Sequence, residues 1–171
     1  MKSSIWTILA ATLAMIPCAE GAQTLVTERT LSVEAALEVA RGALEQCRKD
    51  GHKVTVTVLD HAARTKVVLR DDGARPHSVE HSLRKAYTAL TYNSTSAEYG
   101  KRAAANPAGI GPQLLANITS AGGGVPIRAG NVLVGAIGIS GSAGSQGISG
   151  GTFDEKCAQA GIDRIAAGLG G

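Results

Sequence analysis

Residues 53–60 read KVTVTVLD, and valine alternates with threonine along most of this stretch. Successive side chains of an extended chain point to opposite faces, so the valines share one face and the threonines share the other with Leu59. The alternation therefore predicts a β-strand with one buried face. Residues 65–70 (TKVVLR) are predicted to be the returning strand of a hairpin, because residues 60–64 have the composition of a turn.

Helical periodicity is found on both sides of this hairpin. Residues 30–50 carry apolar side chains at steps of four and three, which is the spacing of one helix face. The predicted inward stripe is Val33, Leu37, Ala40, Leu44 and Cys47. A second stripe, Val79, Leu83, Ala86 and Leu90, predicts a helix over residues 76–92.

Two shorter helices are predicted further along the chain. Thr95 and Glu98 have the spacing of a capping box, which predicts a short helix beginning there. Residues 153–169 are predicted to be the closing helix, with Cys157 facing inward.

The second half of the chain is rich in glycine and poor in charge. Thirteen of the 22 glycines lie between Gly109 and Gly151, and Arg128 is the one charged residue between 104 and 153. Glycine inside a strand is unfavourable unless another backbone or a ligand approaches closely. We therefore expect tight subunit packing or a flat ligand in this stretch.

Strands are nevertheless predicted within this glycine-rich stretch. Residues 114–120 are predicted to be a short strand, and residues 125–127 and 131–139 to be a hairpin. The order of helices and strands predicts an α+β fold with a mainly antiparallel sheet, covered by helices on at least one face.

The overall charge and composition narrow the functional class. The formal net charge is only +3, there is no basic tract, and aromatic residues make up 3% of the chain. A protein that mainly binds nucleic acid would carry a basic patch or aromatic stacking platforms. Nucleic acid is therefore excluded as the main partner.

Residues 1–22 have the pattern of a secretory signal peptide. Lys2 precedes an apolar run over residues 5–16, and cleavage is expected after Gly21 or after Ala22. A lipoprotein reading through Cys18 is the alternative, although the preceding proline disfavours lipidation. We expect a single exported domain over residues 23–171, periplasmic or secreted, with no stable membrane span because no second apolar segment has the required length.

Two histidines form the most suggestive chemical pattern. The sequence His77-Ser78-Val79-Glu80-His81 formally matches H-x-x-E-H of inverted zinc peptidases, a weak match in so short a motif. Positions four apart share one helix face, so both imidazoles can meet one transition metal, or one can offer an axial ligand to haem iron. Solvated histidines at a helix start are the alternative.

The two cysteines of the predicted mature chain are candidates for a disulfide. Once a signal peptide is removed, Cys47 and Cys157 remain, and they can pair in an oxidising compartment or stay as two small buried thiols. We predict that they lie close together, because each is on the inward stripe of a terminal helix.

The glycine motif at 122–124 lacks the lysine and hydroxyl residue that end a phosphate-binding loop, which excludes a nucleotide site of that kind.

The ordered set of motifs resembles the GlcG/HbpS-like haem-binding family, which also includes the C-terminal domain of PduO-type proteins. The matching stretches are residues 31–47 (LSVEAALEVARGALEQC), 54–60 (VTVTVLD), 85–89 (KAYTA), 122–126 (GGGVP), 130–141 (GNVLVGAIGISG) and 154–161 (DEKCAQAG). The resemblance implies a five-stranded antiparallel sheet flanked by helices, self-association into homo-oligomers, and haem or another tetrapyrrole as ligand.

The resemblance also frames a candidate site. His77 or His81 is the candidate axial ligand, and Arg75 and Lys85 are expected to pair with the haem propionates. The backbone of the glycine stretch, with Gly123 and Gly124, is expected to line the pocket.

The chain departs from the family pattern in two loops. Residues 61–64 (HAAR) replace a glycine-containing turn, and residues 142–151 lengthen the loop before the last helix. If the longer loop borders the pocket, the ligand can differ from that of the family.

Three functions follow from these observations. The first is an exported haem-binding protein, for haem handling or redox sensing. The second is an enzyme that degrades haem or transforms another small molecule, although no strong nucleophile–base arrangement is present. The third is an oligomeric accessory module without a ligand of its own, which docks on an envelope sensor or enzyme.

Overall fold

The computed structural model describes residues 25–170, so the predicted signal peptide lies outside the described residues. The elements, in chain order, are α1 (Val33–Lys49), β1 (Thr55–Asp60), β2 (Thr65–Arg70), α2 (Ser78–Tyr92), α3 (Ser96–Ala105), a 3-10 helix (Pro107–Leu114), β3 (Gly124–Ala129), β4 (Val132–Ser140), α4 (Gly150–Asp163) and α5 (Ala166–Leu169). Within residues 25–170, none of these helices combines the length and apolar character that a bilayer crossing requires.

The sheet is antiparallel, with the strand order β2-β1-β4-β3. The predicted α+β class, with helices flanking an antiparallel sheet, is confirmed, but the prediction of five strands is wrong because the sheet has four. The stretch at 114–120 is not a strand, since its backbone groups bond elsewhere. The Thr119 N–H donates to Thr88 Oγ1 of α2 (3.0 Å), and the Ile118 N–H donates to the Leu115 carbonyl in a turn (3.1 Å).

β1 is buried along its whole length, so the prediction of a single buried face is wrong. The valines of β1 join the apolar core that α1 and α4 cover. The threonines face α2, where the hydroxyls of Thr55 and Thr57 lie 2.7 Å from those of Ser78 and Ser82. Because each buried hydroxyl has a partner, polar side chains are accommodated on this face. The sheet is therefore the middle layer of three.

The predicted stripes of the two long helices are buried only in part. Val33 is 50% exposed and Val79 is 40% exposed, although both were expected in the core. Ala86 and Leu90 are buried as predicted, but most of the other buried residues of α2 are small or polar, because α2 lies directly against glycine positions of the sheet. A Cβ atom on Gly138 of β4 would lie 2.0 Å from the Ser82 carbonyl oxygen.

A disulfide joins the helices on the opposite side of the sheet. Cys47 of α1 and Cys157 of α4 are bonded, with a Cα–Cα distance of 5.5 Å and a sequence separation of 110 residues. Both side chains are completely buried in the apolar core. The bond therefore ties the helix at the start of the domain to the one near its end.

Candidate functional site

A cavity of about 620 Å³ opens where α2, α3 and the first turn of α4 meet. Its walls are mostly glycine, alanine and serine, and the lining residues whose side chains the structure describes include no leucine, isoleucine, valine or aromatic residue. The volume lies within the range of small-molecule sites, about 300–1,000 Å³. The titratable lining residues are Arg75, His77, His81, Lys85, Lys101 and Asp154.

The structure brings both predicted histidines to this cavity. His77 lies directly before α2, is exposed, and its ring makes no hydrogen bond with another described residue. His81 lies one turn later and is half-buried, with Nδ1 3.3 Å from Ser140 Oγ and Nε2 3.4 Å from Thr119 Oγ1. Burial, followed by the charge of Lys85, lowers the pKa of His81 to about 4. His81 is therefore a neutral imidazole at neutral pH.

Lys85 lies in the cavity wall, but its charge already has a partner. Its Nζ donates to Asp154 Oδ2 at 2.7 Å, and the Ser142 N–H donates to Asp154 Oδ1 at 3.2 Å. Lys85 therefore does not offer the free charge that pairing with a propionate requires. Sequence reasoning missed Asp154, because it lies 69 residues from Lys85 and no local spacing connects the two.

Two other cations of the cavity have no partner. Arg75, which the sequence predicted, and Lys101 of α3, which it missed, are both exposed. Neither side chain makes a hydrogen bond or ion pair with another residue in the described range 25–170. The opening of the cavity therefore carries unmatched positive charge.

The triple-glycine stretch plays a packing role. Gly122 lines the cavity, whereas Gly123 and Gly124 are buried next to Lys85 and are not lining residues. Gly123 has a φ of +120°, a left-handed value that favours glycine, and a Cβ there would lie 2.9 Å from Lys85 Nζ. A Cβ on Gly124 would lie 2.1 Å from the Lys85 carbonyl oxygen, so these glycines allow α2 to approach the sheet.

The longer loop before α4 borders the cavity, so the condition under which the ligand can differ from that of the family is met. Ser142, Ser149, Gly150 and Gly151 all line it. Ser149 is at the N-cap of α4, and its side chain caps no backbone N–H. The Ser142 hydroxyl oxygen is buried and has no hydrogen-bond partner among the described residues.

The donor set fits haem better than a free metal ion. Within residues 25–170, no group of three or more histidine, cysteine, aspartate or glutamate side chains is arranged to hold a metal ion, so a zinc-peptidase centre has no support. A porphyrin supplies four of the iron ligands itself, and one imidazole completes a typical axial set. His77 and His81 offer such an imidazole, and Arg75 and Lys101 offer charges for two carboxylates.

Comparison with known proteins gives matches over most of the chain. The family described as "Haem degrading protein HbpS-like" matches residues 31–163. An uncharacterized 15.0 kDa protein of the dhaT-dhaS intergenic region of Citrobacter freundii is 30% identical over 114 residues, which are 66% of this chain and 80% of that protein.

Two solved structures show the same architecture. A double mutant of Streptomyces reticuli HbpS is 37% identical, with a TM-score of 0.74, over 92% of this chain and 99% of that chain. A PduOC:heme complex is 26% identical, with a TM-score of 0.69, over 80% of this chain and 95% of that chain.

Proposed function

This chain belongs to the HbpS-like family, and from that premise we propose that it binds haem or a closely related tetrapyrrole at the cavity between α2, α3 and α4. The observation that carries the proposal is the pair of imidazoles, His77 and His81, one helical turn apart on the cavity wall. The haem complex of the similar PduOC structure supports the choice of ligand.

His77 is the better candidate for the axial ligand. Its ring is exposed and makes no hydrogen bond within the described chain, so an iron–nitrogen bond would break no existing contact. His81 is the second candidate, because its ring nitrogens already face Ser140 and Thr119. Arg75 and Lys101 would pair with the propionates. Bound haem would supply an iron centre capable of electron transfer or oxygen chemistry.

Haem uptake is tested by titrating haem into the purified protein and recording the Soret band. We expect a shifted band for the wild type, a loss of that shift in His77→Ala, and retention of it in His61→Ala. His61 is a matched control, because it is an exposed histidine in the β1–β2 turn outside the cavity. A wild-type spectrum identical to that of free haem would contradict the proposal.

We further propose that haem binding involves a second copy of the chain. Apart from the titratable residues, the described walls contributed by one copy are glycine, alanine and serine, which cover little of an apolar macrocycle. Light scattering after size exclusion, with and without haem, measures the assembly. A homo-oligomer that takes up no haem would favour the accessory module instead.

Haem degradation is a second candidate function, favoured by the description of the matching family. Incubating the haem-loaded protein with a reductant and dioxygen, or with peroxide, distinguishes degradation from binding alone, because opening the porphyrin ring consumes an oxidant. Loss of the Soret band over many turnovers, with release of iron, supports degradation. Bleaching of one haem per protein supports binding alone.

We also propose that the protein is exported to the periplasm or secreted. The signal-like pattern of residues 1–22 and the disulfide between Cys47 and Cys157 support this location, since disulfides persist in oxidising compartments. Fractionation and mass spectrometry of the mature protein test it. We expect an N-terminus after Gly21 or Ala22, and an uncleaved protein in the cytosol would contradict it.

A further inference from the structure

We propose that, when no haem is present, the cavity binds a small carboxylate, an organic acid of a few carbon atoms, through the cations that would otherwise pair with the propionates. This inference does not depend on haem binding. It rests on the unpaired cations of the cavity, on an unpaired hydroxyl and a helix start among its lining residues, and on the nature of its walls.

The free cations are concentrated in one place. In the described part of the chain, three cationic side chains make no hydrogen bond or ion pair: Lys49, Arg75 and Lys101. Two of the three line this cavity, whereas Lys49 lies in the last turn of α1. Cations gathered around a cleft with low-dielectric walls attract anions, because the cleft focuses the field.

The one carboxylate that lines the cavity does not neutralise these charges. Both oxygens of Asp154 are occupied, one by the Lys85 ammonium and the other by the Ser142 N–H. Lys85 and Asp154 therefore cancel each other, and the charges of Arg75 and Lys101 remain in excess.

One lining residue of the cavity carries a hydroxyl that has no hydrogen-bond partner among the described residues. The Ser142 oxygen is buried without a hydrogen bond to another described residue, an arrangement that costs free energy unless a ligand or water completes it. Gly150 and Gly151, the first residues of the 14-residue helix α4, lie beside it in the cavity lining. The amide groups at a helix start carry partial positive charge and favour a carboxylate.

The described walls favour a small polar ligand. No large apolar or aromatic side chain is found among the lining residues whose side chains the structure describes, so a ligand gains affinity from hydrogen bonds and charge. Anionic oxygens are the shared chemistry of carboxylates and of free phosphate. Two excess cations match the charge of an organic monoacid or diacid. Inorganic phosphate is the competing ligand, and the experiment must distinguish its binding from that of a carboxylate.

The proposal is tested by isothermal titration calorimetry of the haem-free mature protein. Acetate, malonate, succinate and inorganic phosphate are titrated separately at constant ionic strength. We expect at least one carboxylate to bind with one-to-one stoichiometry and more tightly than phosphate. Removing one charge-assisted contact in Lys101→Ala should weaken that binding by about tenfold or more.

Lys49→Ala is the matched control, because it removes the same charge from another unpaired lysine outside the cavity. We expect its affinity to stay within about twofold of the wild type, since an exposed charge at a distance is screened by salt. The proposal is overturned if no carboxylate binds, if phosphate binds best, or if Lys49→Ala weakens binding as much as Lys101→Ala. Since the titration contains no haem, failure here is distinct from failure of haem uptake.

Discussion

The Lys85 ammonium lies 2.7 Å from Asp154 Oδ2, and the two side chains are only 4% and 2% exposed. This buried ion pair links α2 to α4 and closes one wall of the cavity. The Ser142 N–H completes it by donating to the other oxygen of Asp154. Each of the two buried charges is stabilised by its partner, because neither is hydrated by bulk water. A substitution in this wall of the cavity therefore also changes the stability of the fold.

Removing one member of this pair should therefore destabilise the protein strongly. We expect Lys85→Met to lower the free energy of unfolding by about 3–5 kcal/mol, because Asp154 stays buried without its counter-charge. The double variant Lys85→Met/Asp154→Leu should lose less than the sum of the two single losses. Urea denaturation of the wild type, Lys85→Met, Asp154→Leu and the double variant forms a double-mutant cycle. Additive losses of unfolding free energy would contradict the coupling between the two side chains.

His81 should make stability depend on pH. Burial, then the Lys85 charge, lowers its pKa from 6.5 to about 4, so as the pH falls the unfolded chain takes up this proton first. Its contribution to stability should be complete above about pH 6.5 and should be lost progressively between pH 6.5 and 4. His81→Gln should have a flatter profile in that window. Urea unfolding at a series of pH values measures this, and parallel profiles for the two proteins would count against it.

The disulfide should contribute substantially to stability. Cys47 and Cys157 close a loop of 110 residues, for which chain-entropy estimates give about 4–5 kcal/mol. Cys47→Ala/Cys157→Ala should therefore melt roughly 10 °C or more below the wild type. Calorimetry measures the difference, and the melting temperature of the variant should not respond to reductant. Two free thiols in the denatured, unreduced wild type would show that the bond is absent.

Gly138 should not tolerate a side chain. A Cβ there would lie 2.0 Å from the Ser82 carbonyl oxygen and 2.4 Å from the Ala86 nitrogen, and backbone atoms of α2 cannot rotate away. We expect Gly138→Ala to lower the free energy of unfolding by at least about 2–3 kcal/mol, which is the upper end of the usual cost of overpacking a core. Gly168→Ala is the control, since a Cβ at that position meets nothing within 4 Å. Equal unfolding midpoints in urea for the two variants would refute this account of the contact.

Much of the secondary structure could be predicted from local patterns. The capping box of α3 is present as predicted, with the Thr95 hydroxyl accepting from the Glu98 N–H and the Glu98 carboxylate accepting from the Thr95 N–H. Such features depend on residues three apart, so spacing suffices to find them. The inward faces were harder to predict, as Val33 and Val79 show, because they depend on what packs against each helix.

The sequence by itself determined the α+β class, the order of α1, β1, β2, α2 and α3, the later β3–β4 hairpin followed by α4, and the placing of His77 and His81 one helical turn apart. These features follow from backbone periodicity, which acts over a few residues. Only the tertiary structure decided that the sheet has four strands, that Lys85 is matched by Asp154, and that Arg75 and Lys101 remain unmatched at one cavity. The packing of α2 and α4 against the sheet determines which hydrogen-bonding and charged groups become partners. The spacing of residues along the chain does not predict that packing.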